Sequence, residues 1–153
     1  MRTKGRGKGV SVVDITGKED VPREATARGH IRLKGSTMSA IKGGRVPKGD
    51  VLTVSKVAAI MAVKRTPDLI PACHTIPLTH VDVDFEVGKG SIAATCRVVS
   101  TSKTGVEMEA LTGACVALLT IWDMTKELEK DERGQYPTTT IGGIRVLRKV
   151  KGS

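Results

Sequence analysis

Asp123 and Lys126 stand three residues apart in a stretch whose apolar residues recur at helical spacing, so their side chains share one helix face. Enclosed in a cleft, such a carboxylate and amine form an acid/base device, because burial and a neighbouring charge both tune proton affinity. On an open surface the same pair is decoration worth about 0.2–0.5 kcal/mol. Spacing alone does not choose between the two. Lys48-Gly49-Asp50 is a second candidate, placed where unpaired backbone N–H groups and the positive end of a helix dipole attract phosphate. Lys48 there can hold an anion or move a proton, and the plain alternative is a loop lysine beside an ordinary cap.

Glu107 and Glu109 are two apart, and a carboxylate accepts from several donors at once, which suits the guanidine-like N–H edge of a guanine or pterin ring. Acidic residues at a helix start are the common alternative. Lys64-Arg65 closes a helical segment, where cations also serve the carbonyl end of the dipole. Beyond it Pro67 and Pro71 restrict the backbone leading to Ala72, Cys73 and His74, fixing where those side chains point.

These residues belong to a chain of 153 residues that is 39% hydrophobic, enough for one core. The expected organisation is a flexible basic tail over residues 1–10, then a single catalytic domain over 11–150. A net charge of +9 favours polyanionic partners. Phe85, Trp122 and Tyr136 are the only aromatic residues, too few to stack single-stranded nucleic acid, so no nucleic-acid partner is expected. No stretch is apolar enough to span a bilayer and the start lacks the apolar core of a secretory signal, which excludes a membrane role and predicts a cytoplasmic protein. Cys73, Cys96 and Cys115 are odd in number and widely spaced, which predicts reduced thiols. No Cys-x-x-Cys or His-x-x-x-His pair gathers them with His30, His74 and His80, so neither a metal nor a cofactor is assigned.

The elements that must position the candidates follow from periodicity. Arg28 to Leu33 reads as a strand, and Ser36 is expected to cap a short helix ending at Gly43-Gly44. Asp50 is the expected N-cap of a helix with a stripe of Val51, Val54, Val57, Ala58 and Met61. Thr79 to Val87 and Ser91 to Val99 alternate about Gly88-Lys89-Gly90 as an antiparallel hairpin. Leu111, Cys115, Leu118 and Trp122 mark a long helix ending near Lys130, and Thr140 to Val150 reads as a last strand. That order predicts an α+β fold, a ferredoxin-like βαββαβ sandwich with helices packed on one face of an antiparallel sheet.

Four motifs in this order resemble the molybdenum cofactor biosynthesis C family: Lys48-Gly49-Asp50, Lys64-Arg65-Thr66 with Asp68 to His74, Thr104 to Thr112, and Asp123-Met124-Thr125-Lys126. The likeness runs from about Val13 to the last strand. It implies conversion of a cyclic 7,8-dihydro-GTP to a pyranopterin bearing a cyclic phosphate, with loss of diphosphate. It also implies a homohexamer built as a trimer of dimers, with active sites at subunit interfaces. By motif position Asp123, Lys126 and Lys48 would be catalytic, and Ala72, Cys73, His74, Met108, Glu109, Glu107 and Lys64 would bind the triphosphate substrate. Arg45-Val46-Pro47 replaces the histidine-containing run usual before the lysine, and Thr75-Ile76 precedes Pro77 where the family commonly has proline directly. Two other readings of the same fold are an RNA-binding module and a catalytically silent assembly protein.

Overall fold

The computed structural model describes residues 9–153. The expected tail falls mostly on residues 1–8, outside the described residues. The elements are β1 (Val21–Arg32), α1 (Gly35–Lys42), α2 (Val51–Lys64), α3 (Thr66–Leu69), β2 (Leu78–Val87), β3 (Ser91–Ser102), α4 (Glu107–Glu129) and β4 (Thr140–Lys151). The strands form one sheet in the order β2-β3-β1-β4, with every neighbouring pair antiparallel. This is the ferredoxin-like α+β arrangement.

Alternation builds the core. Ala25, Ala27 and Ile31 of β1, Val83 of β2, and Ile92, Ala94, Cys96 and Val98 of β3 are fully buried on the face that meets the helices. Burial pushes the Cys96 thiol up to about 12, with the Asp82 charge adding to it, so Cys96 packs as a small apolar side chain. The hairpin joins where Gly88 N–H donates to the Ser91 carbonyl at 2.8 Å. β1 starts seven residues earlier than the sequence predicts. Its first half faces inward only through alanines, which give a weak alternation signal.

α4 buries Ala110, Gly113, Ala114, Ala117, Leu118 and Ile121, a mostly small-residue face that lets it lie close to the sheet and α2. At Gly113 an added Cβ would stand 2.5 Å from Cys96 Sγ and 2.7 Å from Val63 Cγ2, so this position sets how closely β3, α4 and α2 pack. The α2 stripe differs from expectation. Val51 is buried with Ser55, Ala59, Ala62 and Val63, while Val54, Val57 and Met61 face outward. Ser36 is not a cap either: Lys34 precedes the first turn of α1, and no side chain within that turn bonds back to it. No helix among the described residues is long and apolar enough to cross a membrane.

Candidate active site

Asp50 caps α2, its Oδ1 accepting from Thr53 N–H at 3.0 Å, and this holds the preceding loop at the mouth of the helix. Gly49, at φ +117°, makes the turn that a side chain would resist, and its N–H returns to the Val46 carbonyl at 3.1 Å. Lys48 is thereby aimed at α4. Its Nζ lies 3.2 Å from Asp123 Oδ2 and 2.9 Å from the Asp123 carbonyl oxygen. Lys126 Nζ reaches the other carboxylate oxygen at 3.0 Å.

Two motifs 75 residues apart in sequence therefore converge on one carboxylate. Hydrogen bonds from Lys126 and then Lys48, with the charges of both, hold the Asp123 carboxyl below the usual carboxylate range. The group is open to solvent in the single chain, with side-chain exposures of 60% for Asp123, 42% for Lys48 and 38% for Lys126. Beside it is an apolar hollow of about 410 Å³ lined by Leu119, Trp122 and Ile141. Tyr136 braces the Trp122 ring, their centroids 5.1 Å apart.

Most of the remaining candidates gather at the other end of α4. A pocket of about 370 Å³ is lined by Ala72, Cys73, His74, Glu107 and Met108. Beneath it Glu109 is only 2% exposed. Its Oε1 lies 3.7 Å from Cys73 Sγ, and its Oε2 is buried with no hydrogen-bond partner. Burial pushes the Glu109 carboxyl up; its own backbone N–H and the Cys73 thiol oppose this, and the Glu107 charge adds to it. The Cys73 thiol is raised by burial and by the Glu109 carboxylate, which keeps it protonated and unsuited to nucleophilic attack. Burial would raise Glu107 too, but the hydrogen bond from Lys149 at 2.6 Å and the charges of Lys149 and Arg23 hold it low.

The sequence reading missed one wall of this pocket. His74 donates from Nε2 to the Val13 carbonyl at 2.6 Å, and Lys103 Nζ bonds the Thr16 carbonyl at 3.1 Å. These contacts lay the segment carrying Val13, Ile15 and Lys18 along the pocket. Its residues have no regular periodicity, and only the partners it finds in space mark it. Lys64 is exposed at the end of α2 and is not among the residues lining this pocket. Among the described residues, no three His, Cys, Asp or Glu side chains gather in a way that would hold a metal ion.

At about 1.5 Å of rise per residue, Glu109 and Lys126 are roughly 26 Å apart along α4. One chain thus carries two candidate groups at opposite ends of one helix: two lysines about a carboxylate, and an acidic, partly apolar pocket. Comparison with known proteins finds relatives that match nearly the whole chain. A protein of Thermococcus kodakarensis is 59% identical over 145 residues, covering 95% of this chain and 93% of its own length. One from Methanoregula boonei is 62% identical over 141 residues, covering 92% and 91%, and one from Methanococcoides burtonii is 59% identical over 140 residues, covering 92% and 88%. Each is named "Probable cyclic pyranopterin monophosphate synthase". Residues 12–152 match the MoaC family, a span that takes in both candidate groups and all four strands, and the chain belongs to that family.

Proposed function

We propose that this chain converts a cyclic 7,8-dihydro-GTP to cyclic pyranopterin monophosphate and diphosphate, a lyase step in molybdenum cofactor biosynthesis. The observation that carries this reading is the convergence of Lys48 and Lys126 on Asp123. Closing the α-phosphate onto the sugar and expelling diphosphate builds negative charge that two lysines offset, while the ring rearrangement needs protons delivered and removed. Lys126 exchanges protons with the substrate, Asp123 orients it, and Lys48 handles phosphate or a second proton. Glu109, with an unused acceptor oxygen, takes the N–H edge of the ring. Ala72, Cys73, His74, Met108 and Lys64 shape or flank its pocket, and Glu107 supports it through Lys149.

A ring edge and the reacting atoms of one nucleotide cannot be some 26 Å apart, so the working site takes one half from each of two chains. A two-fold axis crossing the helix layer midway reverses the ends of α4, which sets the Lys126 end of one copy against the Glu109 end of the other. The surface between them supports this, because Val54, Val57, Met61 and Leu119 are exposed there. We extend the dimer to a hexamer, a trimer of dimers, on the family resemblance. Three free cysteines suit a reducing cytoplasm.

The RNA-binding reading is not favoured. Phe85 packs on the core rather than on the open face of the sheet, where Arg28 is paired with Glu86 and Arg97 with Glu24. The test is incubation of the assembled protein with the cyclic GTP-derived intermediate, assaying diphosphate and an oxidisable pterin. Both are expected, and the absence of both with correctly assembled protein contradicts the reading.

A further inference from the structure

Glu129 is a fully buried carboxylate with no part in the chemistry above. It accepts from Lys34 N–H at 3.2 and 3.1 Å, from the Thr37 hydroxyl, and from the Thr139 hydroxyl at 2.7 Å. Every partner is a donor, and together they come from the start of α1 and from the loop entering β4. α1 has no capping side chain of its own in sequence, so Glu129 on α4 supplies one from across the fold.

The rest of the connection runs through backbone. Gly43 N–H bonds Ser39 O at 2.9 Å, Gly44 N–H bonds Ile41 O at 3.2 Å, and Arg45 N–H bonds Ala40 O at 2.9 Å, so the chain leaving α1 is stitched back onto it. The Gly49 to Val46 bond then spans Lys48, and Met38 and Val46 are both buried in the core. α1 and the Lys48 loop are therefore joined by backbone hydrogen bonds and by shared burial in the core. Glu129 lies three residues beyond Lys126 on α4, so it ties them to the helix end that carries Asp123 and Lys126.

We propose that Glu129 is a positioning residue: it locks α1 and the Lys48 loop to the end of α4, so that Lys48 meets Asp123. This rests on the proposed reaction only for its effect on turnover. Its structural content is tested separately by the titration of Asp123, which is lowered in part by Lys48.

The experiment uses full-length Glu129→Leu, Glu129→Gln, and a control, Val83→Ala, in a core position remote from α1. Carboxylate chemical shifts of Asp123 are followed against pH, with single-turnover diphosphate release and equilibrium binding of the cyclic intermediate, at a temperature where all variants are folded. In Glu129→Leu the Asp123 titration is expected to move up toward the ordinary carboxylate range, and turnover to fall by roughly 10²-fold, the effect of about 1 Å of misplacement, with binding largely kept. Glu129→Gln retains an acceptor oxygen and should recover most of both. Val83→Ala should move neither. If Glu129→Leu does not fold, Thr37→Val, which removes one of the donors, is measured in its place with the same expected directions. An Asp123 titration equal to wild type in a folded Glu129→Leu or Thr37→Val overturns the proposal, as does an equal shift in Val83→Ala. If wild type itself releases no diphosphate, the reaction fails, and the titration still decides the role of Glu129.

Discussion

Lys48, from the loop before α2, places its Nζ 3.2 Å from the carboxylate of Asp123 on α4, and Lys126 holds the other oxygen of the same carboxylate at 3.0 Å. A single carboxylate so placed fixes two ammonium groups relative to each other. It controls where positive charge stands, as a substrate phosphate would then find it.

Asp123→Asn releases both lysines at once. Because the folded carboxyl is held below its ordinary value, the stability it contributes is present above the ordinary carboxylate range and is lost as pH falls through the lowered value. Melting curves of wild type and Asp123→Asn should therefore differ at neutral pH and converge in acid, and turnover should collapse at every pH. A difference that persists or grows in acid contradicts the ion-pair account.

Glu109→Gln exchanges an all-acceptor group for one with two donors. The folded Glu109 carboxyl is raised, so its favourable contribution is present below the ordinary carboxylate range and lost as pH rises through the raised value. The glutamine variant should melt at least as high as wild type at pH 7, while substrate binding weakens by about 1.5–3 kcal/mol, the worth of a hydrogen bond to a charged group. Calorimetry and equilibrium binding measure the two. Unchanged affinity with a collapsed fold would make Glu109 a structural residue.

Lys126→Arg keeps the positive charge and loses the ability to give up a proton, since guanidinium does not deprotonate in proteins. Single-turnover diphosphate release should fall by roughly 10²–10⁴-fold, with substrate binding mostly retained. Near-normal catalysis would show that charge alone matters at Lys126 and would move the acid/base role to Lys48.

Gly113→Ala probes the packing that sets α4. The added methyl meets Cys96 and Val63 side chains at 2.5–2.7 Å, so overpacking should cost about 1–3 kcal/mol. Thermal denaturation should show a melting temperature lower by several degrees. No change would mean that α2 or β3 yields freely, and that α4 is not seated as tightly as its small-residue face indicates.

The hairpin and the long helix were legible because Val81 to Val87, Ile92 to Val98 and Leu111 to Trp122 carry clean periods of two and of three to four. The inward face of α2 was not. Ser55, Ala59 and Ala62 bury through small size rather than apolarity, and the larger Val54, Val57 and Met61 point outward. The Asp123 and Lys126 pairing followed from helical spacing, but Lys48 joins them only through the fold. The Glu107 link to Lys149, the Val13 segment over His74 and the Glu129 network are long-range contacts with no local pattern to announce them.

The proposed division of the site between two chains is tested most directly by mixing two defective variants. Glu109→Gln is damaged only in the ring-binding half and Lys126→Arg only in the proton-transfer half, so a mixed dimer contains one site with both halves intact. At substrate well below saturation, where the weakened binding of Glu109→Gln limits its rate, co-refolding the two in equal amounts should restore diphosphate release to about a quarter of the wild-type rate at random pairing, although each parent alone is far slower. If the mixed assembly forms and remains as inactive as its parents while wild type turns over, the two half-sites do not meet across an interface, and the account of the site is wrong.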